Sequence, residues 1–337
     1  MSLSRDVFKT LARGSRLSDS ALTHALTSIL SGEVPTEQIS AFLLGIEMIG
    51  ITDHEIRVGT QVMRQNMIPV RVDHDVIDIV GTGGTGLHTL SISTATAIVC
   101  AAAGAKVAKH GNRAASSLTG TADTLSELGV NLGISPEKAA ELIDTIGIGF
   151  LFAPNHHPAM RHVGPARRAL QIRTLFNMLG PMSNPAGAKG MLLGVCDRSW
   201  QRPMADALAN LGVDHVWVVH GSDGMDEITT TGPTYVSEVK DGVVTDFSLS
   251  PEDYGIPISS LDRLRGGNPS DNAAALKSLL DGEDSDYREI VRLNAGVALM
   301  IAGITNDIPA GIDLATRAID NGAAKRTLQA MVKQSNR

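Results

Sequence analysis

A change of hydrophobic period near residue 76 constrains this chain more than any other feature. Before it, apolar residues recur only at helical spacing: Ala21, Leu22, Ala25, Leu26, Ile29 and Leu30, with Ser20 as the expected cap and Gly32 as the stop. Ile39, Phe42, Leu43 and Ile46 make a second apolar face. Thr52-Asp53-His54-Glu55 has the capping-box pattern ahead of a third helix carrying Ile56, Val62 and Met63. After it, short β-rich runs at 76–80, 106–109, 148–153, 190–196 and 215–220 alternate with helical segments, which is the pattern of a parallel sheet covered by helices. Asp241-Gly242 between 235–240 and 243–248 signals a hairpin, and a helix-rich stretch follows. The expected fold is α/β: a small helical domain over residues 1–72 and a larger α/β domain with a mainly parallel sheet over 73–337.

Composition narrows the function classes. A net charge of −7, with acids and bases interspersed, gives no footprint for nucleic acid or a membrane surface. Aromatics at 3% beside 34 glycines suit tight turns and close backbone approach rather than base stacking. Cys100 and Cys196 form neither a metal spacing nor a disulfide framework, which points to a reducing compartment. MSLSRDVFK lacks the apolar core of a signal peptide, and the apolar runs Ala95–Ala105 and Ala295–Ile304 are too short to span a bilayer. The expectation is a soluble cytoplasmic protein.

The stretch DIVGTGGTGLHTLSIST (78–94) runs from an apolar strand into glycines and then hydroxyls. Gly81, Gly83 and Gly86 fit G-x-G-x-x-G, but a dinucleotide site needs an acid about 20 residues on to hold the ribose. Residues 98–110 contain none. The same glycines begin a phosphate-binding P-loop, yet Leu87 stands where its lysine belongs. Two readings remain: a backbone-lined anion pocket ahead of a helix N-terminus, or a tight turn with capping hydroxyls. The next strand ends in Lys109-His110-Gly111-Asn112-Arg113, followed by Ala-Ala-Ser-Ser-Leu-Thr-Gly-Thr-Ala-Asp. Polar and cationic groups there sit at a strand's C-terminal end, where open parallel sheets bind ligands.

The glycine turn, KHGNRAASSLTGTAD, RTLFNMLGPMSNP (173–185) and GSDGMDEI (221–228) occur in order. Together they resemble the anthranilate phosphoribosyltransferase family, over nearly the whole chain. The resemblance implies transfer of the phosphoribosyl group from phosphoribosyl pyrophosphate to anthranilate, giving N-(5-phosphoribosyl)anthranilate and pyrophosphate in tryptophan biosynthesis, with Mg2+. It also implies a fold of the nucleoside phosphorylase/phosphoribosyltransferase type, with helices from about 158–182 joining the helical domain, and a homodimer formed through the helical parts. Carried over residue by residue, Gly81, Gly83, Gly84, Thr85, Thr89, Ser91, Ser93, Thr94, Lys109 and Thr121 would hold phosphoribosyl pyrophosphate. Gly81, His110, Asn112 and Arg167 would face anthranilate, and Ser93, Asp226 and Glu227 would hold the metal. No side chain is expected to act as nucleophile or general base. Three positions depart from the family pattern: Thr85 replaces an aspartate, Ser91 an asparagine and Thr121 a serine.

Two clusters read differently with and without the resemblance. Alone, Asp226-Glu227 is a solvated turn; within the matching motif, the adjacent carboxylates suit magnesium, which takes one or two of them plus phosphate oxygens. His156, His157, Arg161 and Arg168 read as a solvated helix face, and the histidines lack a third ligand at zinc spacing. Arg167 matches the family's anthranilate-binding arginine, whose guanidinium can engage a carboxylate in a bidentate way. The alternatives are a pyrimidine nucleoside phosphorylase, which KHGNR fits less well, and a catalytically silent nucleic-acid-binding relative, which the charge opposes. An amidotransferase partner stays unassigned.

Overall fold

The computed structural model describes residues 2–114 and 118–337. Helices alone occupy the first part: Arg5–Ala12, Asp19–Leu30, Thr36–Ile49 and Asp53–Gln65. Thr52 and Glu55 form the expected capping box, the Thr52 N–H donating to the Glu55 carboxylate at 2.9 Å. The cap of Asp19–Leu30 is Ser18 rather than Ser20. Ser18 keeps extended backbone outside the helix and accepts from the Ala21 N–H, whereas Ser20 already lies in the first turn.

Seven strands follow: β1 (Ile77–Gly81), β2 (Val107–Gly111), β3 (Ile148–Phe152), β4 (Gly190–Gly194), β5 (His215–Gly221), β6 (Thr234–Lys240) and β7 (Val243–Leu249). Their order in the sheet is β3-β2-β1-β4-β5-β6-β7. The first five run parallel, and β6 and β7 add an antiparallel hairpin. Asp241 and Gly242 turn it with φ of 51° and 75°, as a two-residue turn with two positive φ values demands. The fold is thus the expected α/β one, with one revision. β2 runs past the expected end at Lys109, through His110 to Gly111.

Both faces of the sheet are covered. Leu192, Trp217 and Val219 join a core with Ile92–Ala102 and the C-terminal helices Asp286–Ile301, Ile308–Asp320 and Ala323–Ser335. Met191, Leu193, Val216 and Val218 face the other way, into a core shared with the N-terminal helices and Arg198–Asn210. That second core also takes in Val163, Ala166, Leu175, Phe176 and Leu179. They belong to the short helices Gly164–Leu170 and Leu175–Leu179 and their approach, which pack on Thr36–Ile49 and Asp53–Gln65. Arg64 ties this segment down by donating twice to the Met182 carbonyl, at 3.1 and 2.9 Å. Among the described residues, no helix is long and apolar enough to cross a membrane.

The strand order places the site. β1 pairs with β2 on one side and β4 on the other, so successive connections leave in opposite directions and a crevice opens beyond the C-terminal ends. Gly81 and Gly194 face each other across that opening.

Candidate active site

A cleft of about 1340 Å3 opens there, and every described residue assigned above to substrate or metal lines it. The Ser116-Ser117 pair of the second loop lies outside the described residues.

At one end the loop after β5 brings Asp226 and Glu227 into the crevice. Both strand-end glycines are needed for that entry. A methyl on Gly81 would strike the Asp226 carboxylate, and one on Gly194 would strike the Asp226 main chain. Asp226 Oδ2 accepts the Gly83 N–H at 2.8 Å, and Ser93 offers its N–H and hydroxyl to Glu227. Burial, with repulsion from Asp226 added, pushes the Glu227 carboxyl up to about 8; burial raises Asp226 as well. Two adjacent carboxylates that resist ionising together call for a cation. The donor set is all hard oxygen, two carboxylates and a hydroxyl with no cluster of three His, Cys, Asp or Glu among the described residues, which suits magnesium completed by phosphate oxygens and water.

The glycine turn beside them is a cradle of backbone N–H groups. Thr82 N–H donates to the Gly194 carbonyl, Gly83 N–H to Asp226, and Leu87 N–H to the Thr85 hydroxyl at 3.3 Å. Among the described residues, nothing accepts from the consecutive N–H groups of Gly84, Thr85 and Gly86. Gly83, Gly84 and Gly86 hold φ of 66°, 79° and 72°, so no side chain blocks the approach. Ser91 leads into the helix Ile92–Ala102, but its hydroxyl turns inward, 2.7 Å from the Thr124 hydroxyl. Thr94 and Thr121 hydroxyls lie 3.5 Å apart, and Thr89 pairs with Arg265 in an isolated bridge.

Beneath the cradle lies a buried polar cluster that sequence reasoning missed. The Asp78 carboxylate, fully buried, accepts the His110 N–H at 3.1 Å and the Asn184 amide at 2.7 Å. Asn184 also donates to the Ala108 carbonyl. Lys109, 2% exposed, donates to the Ile79 carbonyl at 2.6 Å, and its ammonium is attracted by both Asp78 and Glu227. Burial lifts Asp78 to about 6, against the pull of Lys109. The available signal was an acid inside an otherwise apolar strand.

The other end is built from side chains. His110 and His157 stack at an angle, ring centroids 5.1 Å apart, each with an unpartnered buried Nε2 among the described residues. Burial and the neighbouring histidine lower both, His157 to about 4, so both rings are neutral. His156 and His157 are therefore not on a solvated face. They are 2% and 6% exposed because their segment packs under the helical unit, where His156 Nδ1 meets the Ile68 carbonyl at 3.0 Å. Arg167 is half-buried and finds no carboxylate within 4 Å among the described residues, while Arg168 is exposed. Burial lowers the pKa of Arg167. Asn112, at the rim, accepts the Arg113 N–H at 2.8 Å.

A helical bundle set beside an α/β sheet, with a glycine turn and an acid pair at the strand ends, is the architecture of a glycosyl-transferring class of proteins. The helical bundle domain of the glycosyl transferase family matches residues 5–67, and the a/b domain of that family matches residues 73–325. Anthranilate phosphoribosyltransferase of Parvibaculum lavamentivorans is 52% identical over 332 residues, 98% of this chain and 97% of the relative. The Thermus thermophilus enzyme of that name superposes with a TM-score of 0.93 at 41% identity, covering 98% of this chain and all (100%) of the other. The Saccharomyces cerevisiae one, solved in complex with PRPP and Mg, gives 0.91 at 26% identity, covering 99% of each chain. This chain belongs to the anthranilate phosphoribosyltransferase family.

Proposed function

We propose that the chain transfers the phosphoribosyl group of phosphoribosyl pyrophosphate to the amine of anthranilate, in tryptophan biosynthesis. The observation that carries this reading is the position, in one cleft, of three turn amides and an acid pair opposite an arginine, the amides and the arginine without partners among the described residues. The C1–O bond to pyrophosphate breaks with its electron pair on oxygen, the amine nitrogen bonds to C1, and its surplus proton goes to water. An aniline is already neutral near pH 7, so no side chain needs to deprotonate it first.

The barrier lies in the departing negative charge. Gly84, Thr85 and Gly86 amides bind the anion with their dipoles fixed in advance, and Lys109 adds a buried positive charge behind them. Asp226, Glu227 and Ser93 would hold magnesium, which when bound supplies further positive charge to the pyrophosphate oxygens. Arg167 receives the anthranilate carboxylate, and Asn112 with His110 orients the ring so that the amine is in line with C1. Thr94 and Thr121 contact the sugar side.

The same reading divides the chain near residue 73, with 158–182 completing the helical unit 1–72, as the packing of Gly164–Leu170 and Leu175–Leu179 supports. It makes the protein a cytoplasmic homodimer through that unit, whose helix Thr36–Ile49 turns Leu44 and Met48 to solvent, 43% and 79% exposed. The decisive experiment follows anthranilate fluorescence. It should fall only when phosphoribosyl pyrophosphate and magnesium are both present; no fall with both would refute the activity.

A further inference from the structure

We propose that Arg173 is a positioning residue that aims the glycine turn at the pyrophosphate, and so links the two substrate ends of the cleft. This rests on the phosphoribosyl-transfer reading. Arg173 leaves the same segment as Arg167 and reaches across the cleft, where its Nη2 donates to the Gly84 carbonyl at 2.7 Å. In a trans peptide the carbonyl and the following N–H point in opposite directions. Holding the Gly84 carbonyl therefore turns the Thr85 N–H, one of the three unpartnered amides, away from Arg173.

The turn needs such a hold. Gly83, Gly84 and Gly86 hold positive φ, backbone that glycine adopts without a side-chain penalty, so hydrogen bonds to the peptides fix their orientation. Asp226 holds the Gly83 N–H, the Thr82 hydroxyl holds the Gly83 carbonyl at 3.4 Å and the Thr85 hydroxyl holds the Leu87 N–H, while the Gly84–Thr85 peptide has Arg173 alone among the described residues. The guanidinium is itself steadied: its carbon stands 5.6 Å from the Trp200 ring centre, and Nη1 lies 3.9 Å from Asp197. Both partners belong to the start of the helix Arg198–Asn210, which packs on the sheet and holds the arginine to the α/β side.

The test compares wild type with Arg173→Ala and Arg173→Lys. Wild type must first consume anthranilate, or the underlying reading fails before this one is reached. Arg173→Ala should then raise KM for phosphoribosyl pyrophosphate roughly tenfold, the worth of a charge-assisted hydrogen bond, and lower kcat as well, with KM for anthranilate within about twofold. Arg173→Lys, which still donates to a carbonyl, should recover most of that loss. The ratio of Ala-variant to wild-type affinity should stay constant up to roughly 0.5 M salt, because the partner is a carbonyl and not the substrate's charge. Equal losses for both substrates, an unchanged KM for phosphoribosyl pyrophosphate, or a ratio that collapses with salt would overturn the proposal.

Discussion

The two ends of the cleft are made of different material. The end proposed for the phosphates consists of backbone and the half-buried Asp226 and Glu227, gathered at the ends of β1, β4 and β5, which one sheet carries. The end proposed for anthranilate consists of side chains, His110 from the sheet, Asn112 just beyond it, His157 from the link between two short helical turns, and Arg167 from Gly164–Leu170 under the helical unit. The first end is therefore fixed by strand register, and the second by how one segment settles between two layers. Their charge environments also oppose each other: burial pushes carboxylates up at one end and histidines down at the other.

The largest effect should come from the acid pair. Asp226→Asn with Glu227→Gln keeps shape but removes the charge that suits a cation, and should cost on the order of 10⁴ in turnover, about 5 kcal/mol. Magnesium affinity should fall with it. Tight magnesium-dependent binding of phosphoribosyl pyrophosphate by this variant would break the division between the ends.

Next comes Arg167→Ala, expected to cost roughly 3 kcal/mol in kcat/KM for anthranilate while phosphoribosyl pyrophosphate binding holds. The exposed Arg168→Ala is its control and should do far less. Equal losses from the two would leave the anthranilate end without its anchor.

A smaller and purely physical contrast lies in stability against pH, measured by thermal melting without metal. Glu227 is raised from 4.5 to about 8, so the folded state holds a proton that the unfolded state has lost, and stability falls as pH rises across that window. His157 is lowered from 6.5 to about 4, so its contribution is complete above 6.5 and is lost as pH falls toward 4. Asp78, raised to about 6, works in the same sense as Glu227 below that value. From pH 6.5 to 8 the carboxylate end acts alone, and metal-free protein should lose about 1–2 kcal/mol. Glu227→Gln should flatten that limb and leave the acid limb in place; an unchanged slope would mean the pair ionises freely.

The smallest effect is expected at Thr85, one of the three departures from the family pattern. Its hydroxyl already serves the Leu87 N–H. Thr85→Asp should lower the magnesium concentration for half-maximal activity by roughly twofold, about 0.5 kcal/mol, since the rim is open to solvent. Superimposable titrations would assign residue 85 to the turn alone.

What the sequence disclosed follows the range of the forces involved. The Thr52–Glu55 box, the Asp241-Gly242 turn and the strand runs depend on neighbours a few residues apart, and they stand where the pattern puts them. Ser18 displaced Ser20 because a cap is chosen by backbone angle, which composition does not reveal. His156 and His157 looked polar and exposed because their burial comes from Ile68 and helices far back in the chain. Asp78 and Asn184 were invisible as a pair, 106 residues apart. Gly81 was legible as part of a phosphate turn, yet the space it leaves admits Asp226, which only the folded chain brings near.

That last feature sets the order in which the molecule can become an enzyme. The gap between Gly81 and Gly194 is filled by a residue that follows β5, so β1, β4 and β5 must already be aligned before Asp226 can take its place. Contacts spanning such long stretches of chain form late, since the loop they close must first give up its freedom. During refolding, helical signal and compaction should return first, and the capacity to bind magnesium with pyrophosphate last. Ligand binding thereby becomes a clock for the final step of folding.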